Sequence, residues 1–331
     1  MSTTWMVRTQ GNPVEAIRAL LGNIWKQAGL DGMVVPAHQE GEITSSPLLL
    51  RDPSLLVGAD PCVPVVPVNA ASLVAQIAEK QLTGRYAAVL RSCESRALVE
   101  IKGLEPLNLD NWLLIGIDCL ASFPEEDFEW RVQKAGSVDK VTEENLAHAR
   151  QGVIDAYRYR SACQMCLHPE AQESDVVICL LGLPVKEAIL VRTKNESVAE
   201  QLRMDQITNG PADPALLAQH DHLLAKLSER RERTMQRMIQ NLSQDVPSDI
   251  TELMALLENC APCRECLDAC PIYNLEVASS PDGKLTQEGA IRWMVSCVSC
   301  GMCEQACPQD MPLPAVIRRI RKSIQSEMIP A

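Results

Sequence analysis

Apolar positions recur along the chain with two different periods. A period near 3.6 predicts a helix from Pro13, capped by Asn12 and closed by Gly29, with Ile17, Leu21, Ile24 and Ala28 on its buried side. The same period predicts helices over Ala70 to Gln81, Glu94 to Lys102, Ser248 to Asn259 and Leu313 to Ile324, and a long one opened by Pro214. Short unbroken apolar runs predict buried strands at Gly32 to Val35, Tyr86 to Leu90, Trp112 to Ile117 and Asp175 to Gly182. Strand, helix and strand from Tyr86 to Ile117 read as a right-handed parallel unit. Between Cys119 and Cys163 lies a polar insertion, Glu125 to Glu129 and Lys140 to Tyr157, whose helix from Glu143 to Tyr157 reads as a cover.

Composition narrows the class. The chain has 331 residues, 46% apolar and 22% charged, enough for two domains with cores of their own. A net charge of −12 opposes attraction to nucleic-acid phosphates or anionic lipid, so no nucleic-acid partner is expected. The sequence has no apolar run long enough for a membrane span and no secretory leader, which predicts a cytoplasmic protein. Only eleven residues are aromatic, so large rings contribute little to the interior. Fourteen residues are cysteine, and in a reducing cytoplasm that number favours metal ligation over disulfides.

Near the C-terminus Cys260-x-x-Cys263-x-x-Cys266-x-x-x-Cys270-Pro271 recurs as Cys297-x-x-Cys300-x-x-Cys303-x-x-x-Cys307-Pro308. This is the bacterial ferredoxin run, in which the fourth cysteine of each run ligates the cluster of the other. Cys260, Cys263, Cys266 and Cys307 are therefore expected to hold one 4Fe-4S cluster, and Cys297, Cys300, Cys303 and Cys270 a second. Zinc is the competing reading, because paired Cys-x-x-Cys motifs also build structural zinc sites. The intervening segment carries a predicted turn at Pro281-Asp282-Gly283. With its flanking helices the module resembles the alpha-helical ferredoxin module of heterodisulfide reductases and related complexes. Residues 248 to 310 carry ten acids and three bases, whereas Arg318, Arg319, Arg321 and Lys322 make the tail basic, read as a solvated helix face.

Six cysteines lie upstream. Cys93 and Cys119 each follow a predicted parallel strand, at the edge where open sheets place ligands. Together with Cys163 and Cys166 they would supply four thiolates for a third cube. Alternatively, Cys93 and Cys119 pack in the core, and Cys163-x-x-Cys166 is a redox pair or a zinc half-site with His168. Cys62 and Cys179 fit no set and read as packing residues.

The segments Arg91-Ser-Cys-Glu-Ser-Arg-Ala-Leu-Val-Glu100, Ile115-Gly-Ile-Asp-Cys119 and Cys163-x-x-Cys166 ahead of Ser174 to Gly182 resemble the beta-subunit family of deazaflavin (coenzyme F420) reducing hydrogenases and formate dehydrogenases, over roughly residues 10 to 195. That resemblance implies that Cys93, Cys119, Cys163 and Cys166 ligate a 4Fe-4S cluster beside a flavin (FAD), which exchanges a hydride with the deazaflavin. Family members open with Gly-Gly before a helix; the stretch here, Gly11 to Leu21, keeps the helix and one glycine.

The expected organisation is α/β: residues 1–195 form a beta-subunit-like domain with a mainly parallel sheet, 196–247 a helical connector, and 248–331 a helical two-cluster ferredoxin domain. The connector's basic residues Lys226, Arg230, Arg231, Arg233 and Arg237 read as a solvated face or as a surface for an acidic partner. The expected function is an electron-transfer subunit of a larger oxidoreductase. Its partners would be a formate dehydrogenase or hydrogenase catalytic subunit, or heterodisulfide-reductase-like subunits. The alternatives are a flavin-containing catalytic beta subunit and a zinc-stabilised interaction protein.

Overall fold

The structure is a computed structural model, and it describes residues 3–38, 44–152, 159–244, 246–260, 263–273 and 286–328. Seven strands, β1 (Thr3–Arg8), β2 (Gly32–His38), β3 (Ser45–Leu50), β4 (Tyr86–Arg91), β5 (Trp112–Ile117), β6 (Val176–Cys179) and β7 (Ala188–Thr193), form one sheet in the order β1-β7-β6-β5-β4-β2-β3. The centre, β2-β4-β5-β6, is parallel, and β3, β7 and β1 are added antiparallel at the two sides. The α/β class and the parallel centre are as the pattern predicts.

Alternation along the strands divides the core. Met33 and Val35 of β2, Ala87 and Val89 of β4, and Ile115 and Ile117 of β5 face one side, where they pack with Ile17, Leu20, Leu21 and Ile24 of helix Pro13–Ala28. Their neighbours Val34, Tyr86, Ala88, Leu90 and Trp112 face the other side. Helices Ala70–Glu79 and Ser92–Leu104 cover that second face, and Leu253, Trp293, Met294, Val316, Ile317 and Ile320 of the C-terminal module join the same apolar cluster. The two ends of the sequence therefore share one core.

The first helix starts as expected: the Asn12 side chain accepts from the Glu15 amide, Pro13 is its first residue, and Gly29 ends it at φ +60°. The insertion differs from its reading. It forms two helices, Glu125–Ala135 and Val138–Leu146, separated by Gly136 at φ +86°. The second helix thus ends well before Tyr157, and residues 153–158 lie outside those described. The expected turn at Pro281 to Gly283 also lies outside them. The Pro61 to Pro67 stretch is largely buried, and its carbonyls at Val63, Pro64 and Val66 accept from Arg91, Phe123 and Gln305. No helix among the described residues is long and apolar enough to cross a membrane.

Candidate metal centres

The parallel register places the first two upstream cysteines. Arg91 at the end of β4 pairs with Ile117 at the end of β5, so Cys93 and Cys119 stand two residues beyond a paired position on adjacent strands. Cys93 lies in the first turn of helix Ser92–Leu104, whose start is fixed by Glu94 accepting from the Arg91 and Ala70 amides at 2.7 and 3.2 Å. The Cys119 amide donates to Pro169 O at 2.8 Å, and the next turn passes through Ala121 at φ +88°. Cys163 sits on the single-turn helix Ser161–Gln164, and Cys166 follows it.

All four thiols, with His168, Arg160, Arg231 and Cys300, line one cavity. Cys93 and Cys119 are pushed upward in pKa, chiefly by burial, Cys119 to about 11, and neighbouring sulfurs add to the shift. Such a set ionises only when a cation compensates it, so its donor chemistry fits a metal or an iron-sulfur cluster. The space at its centre is about 20 Å³, so a cube would require the sulfurs to part. His168 belongs to the same wall and is also available as a nitrogen donor.

In the C-terminal module each run wraps the same way. Arg264 and Gly301, equivalent positions in the repeat, take φ +49° and +79° and start the single-turn helices Glu265–Asp268 and Met302–Gln305. Cys260, Cys263, Cys266 and Cys307 line one cavity of about 590 Å³. Burial, then the nearby sulfurs of Cys307, Cys260 and Cys263, raise the pKa of Cys266 to about 11. The other four also converge: burial, then Cys270 and Cys297, push Cys300 up to about 12. Cys303 rises for the same reason, with Cys297, Cys300 and Cys270 around it. The Trp293 indole N–H points at Cys270 Sγ, 3.3 Å away, and the Ser299 amide at Cys297 Sγ, 3.4 Å away. The crossed grouping expected from the runs is thus the grouping that the fold brings together.

The group of Cys270, Cys297, Cys300 and Cys303 adjoins both others. Cys300 faces both its own group and Cys93, and Cys303 senses Cys266 of the outer group. Arg160, buried to 6% exposure, joins the first two: Nη2 donates to Cys300 O at 2.9 Å and lies 4.0 Å from Cys163 Sγ, while Nη1 donates to Gln305 Oε1 at 3.0 Å. Burial opposes its charge, but Cys163, Cys93 and Cys300 outweigh burial and raise its pKa. Ser161 donates to Glu304 beside it, and Arg96 donates to Val298 O at 3.0 Å.

Neither basic segment is simply solvated. Arg231 of helix Pro214–Gln240 is buried and donates to Cys166 O at 3.2 Å, although Lys226, Arg233 and Arg237 are exposed. In helix Leu313–Met328, Arg321 donates to Cys297 O at 2.8 Å and Arg319 to Pro247 O at 2.5 Å. The bonds to Cys166 and Cys297 fasten cysteine-bearing segments, and the one to Pro247 holds the end of the connector. Sequence patterning missed them because their carbonyl acceptors lie 24 to 72 residues away.

Comparison with known proteins bears on the C-terminal module and on the chain as a whole. A family model described as a 4Fe-4S dicluster domain matches residues 259–311. The F420-dependent formate dehydrogenase subunit beta of Methanocaldococcus jannaschii is 21% identical over 351 aligned residues, covering 95% of this chain and 90% of that protein. The acetyl-CoA decarbonylase/synthase complex subunit alpha 1 of Methanosarcina mazei is 24% identical over 164 residues, 48% of this chain but 19% of that one. A chain of the F420-reducing NiFe hydrogenase complex from Methanosarcina barkeri has a similar fold, with a TM-score of 0.50 and 12% identity over 72% of this chain and 91% of that one. The resemblance to F420-linked beta subunits therefore extends along nearly the whole sequence, and the C-terminal module is of the 4Fe-4S dicluster type.

Proposed function

We propose that this chain is the electron-transfer subunit of a multi-subunit oxidoreductase and relays single electrons between partner subunits through three 4Fe-4S clusters. The observation that carries the reading is the adjacency of the four-cysteine groups, the upstream set abutting the middle one at Arg160 and Cys300. Cys93, Cys119, Cys163 and Cys166 would hold one cluster, Cys297, Cys300, Cys303 and Cys270 the middle one, and Cys260, Cys263, Cys266 and Cys307 the outer one. A bound 4Fe-4S cluster supplies one-electron storage and transfer. The protein's part is to bury the thiols, aim N–H groups at sulfur and hold Arg160 between two of the sets. In a complex, the partners would be a formate dehydrogenase or hydrogenase catalytic subunit or heterodisulfide-reductase-like subunits, and the protein would work in the cytoplasm.

Iron content tests the reading. Anaerobically purified protein should carry about twelve iron atoms per chain, and Cys119→Ala should carry about eight. A wild-type value near eight that Cys119→Ala leaves unchanged would remove the third cluster.

A second reading, a catalytic beta subunit in which bound FAD exchanges a hydride with F420, is favoured by the 95% coverage of an F420-dependent relative. The first helix argues against a flavin phosphate at its N-terminus, because Pro13 has no N–H and the Glu15 amide already donates to Asn12. Stoichiometric FAD released on denaturation would favour the catalytic reading over the relay.

A further inference from the structure

Behind Cys119, on the far side of its loop, is a buried polar cluster that the relay does not use. Asp118 follows β5, Cys179 ends β6, and His220 lies in the second turn of helix Pro214–Gln240. One ligand atom of each lies within 4.8 Å of the others, and all three residues are buried. A tetrahedral site with bonds of zinc length has edges of roughly 3.4–3.8 Å, so a small closure of the three side chains would complete it.

Hydrogen bonds already orient the donors. His220 Nδ1 lies 2.8 Å from Leu181 O and 3.6 Å from Asp118 Oδ2. Asp118 Oδ2 accepts from the Leu180 and Leu181 amides at 2.8 and 3.0 Å. Asp118 Oδ1 is buried with no hydrogen-bond partner, and His220 Nε2 lies 3.5 Å from Glu170 Oε1. A buried polar atom left unmatched costs about 1–3 kcal/mol, which a bound cation would offset. Glu170 Oε1 is held by Arg192 Nη1 at 2.5 Å and neighbours the ring of His220, outside the three-donor group. With a thiolate at Cys179, the carboxylates of Asp118 and Glu170, the Arg192 charge and one dication balance to zero. A protonated His220 with a neutral Cys179 balances equally well, so experiment must separate ion from proton.

We propose that Asp118, Cys179 and His220 form a structural site for one divalent ion of the zinc class. One sulfur, one imidazole and one carboxylate oxygen are donors such an ion takes. The site would pin the connector helix to the ends of β5 and β6, and so brace the loop that carries Cys119.

Full-length protein produced with zinc in the medium and purified without oxygen should contain about one zinc per chain in addition to its iron. Zinc K-edge absorption should show one sulfur at about 2.3 Å and nitrogen or oxygen at about 2.0–2.2 Å. Cys179→Ser and His220→Gln should each lower zinc at least fivefold and leave the iron content unchanged. Zinc below about a tenth per chain in the wild type, a shell made only of sulfur (zinc in the four-cysteine sets), or zinc unchanged in both variants would overturn the site. If neither variant folds, the wild-type zinc content and edge spectrum decide alone.

Discussion

A guanidinium between two sets of sulfurs is a local electrical device. Arg160 carries its charge where burial would otherwise expel it, because Cys163, Cys93 and Cys300 surround it. Reduction adds negative charge to a cluster, and a fixed cation nearby favours the reduced form. At a separation of about 8 Å and an effective dielectric near 20, the interaction is on the order of 2 kcal/mol. For one electron this is on the order of 90 mV. Arg160→Gln should therefore move at least one midpoint potential downward by roughly 50–100 mV in an electron-paramagnetic redox titration, while Arg160→Lys retains most of the wild-type value. An unchanged potential in Arg160→Gln, with iron content intact, would show that solvent screens the charge. Trp293 acts in the same direction through its N–H on Cys270, and Trp293→Phe should lower the middle potential by a smaller step.

At the scale of elements, docking of the dicluster module onto the sheet depends on a close approach at Gly301. Its φ of +79° is not the whole reason for glycine, since Arg264 takes φ +49° at the equivalent position of the other run. A Cβ on Gly301 would stand 2.5 Å from the Ala162 Cβ, on the helix that carries Cys163. Gly301→Ala should therefore cost about 1–3 kcal/mol and drop iron selectively from the upstream set. Adding Ala162→Gly should restore part of both, as measured by denaturation and metal analysis. No such contact is visible in the sequence, although the Cys-x-x-Cys spacing made the crossed cysteine grouping legible. The strands that lead to Cys93 and Cys119 were equally plain, because parallel strands buried on both faces read as continuous apolar runs. The outer strands were not: β1 mixes Thr and Arg with its apolar residues, and β3 contains Pro47, which suits an edge strand. Nor is the proximity of Asp118 and His220 to Cys179 legible in the sequence, since they reach it from 61 and 41 residues away.

Over the whole molecule, one core spans both ends of the chain and makes their stability mutual. Trp293, 1% exposed, packs in the same cluster as Val34, Ala88 and Leu90 of β2 and β4 and Val316 and Ile320 of the last helix. Expected boundaries at 195 and 247 therefore divide the sequence more sharply than they divide the interior, for the 248–331 module has no separate apolar core among the described residues. Removing a ring from such a site costs about 3–5 kcal/mol. If the two ends unfold as one unit, Trp293→Ala should reduce amide-exchange protection in β4 by as much as in helix Leu313–Met328, and visible bleaching of the clusters should coincide with loss of far-ultraviolet ellipticity. If the module were instead independent, protection in β4 would stay at the wild-type level while the C-terminal helix opened, and the two optical transitions would separate in temperature. Coincidence is the expected result, since the buried residues of the module belong to one apolar cluster with Val34, Ala88 and Leu90.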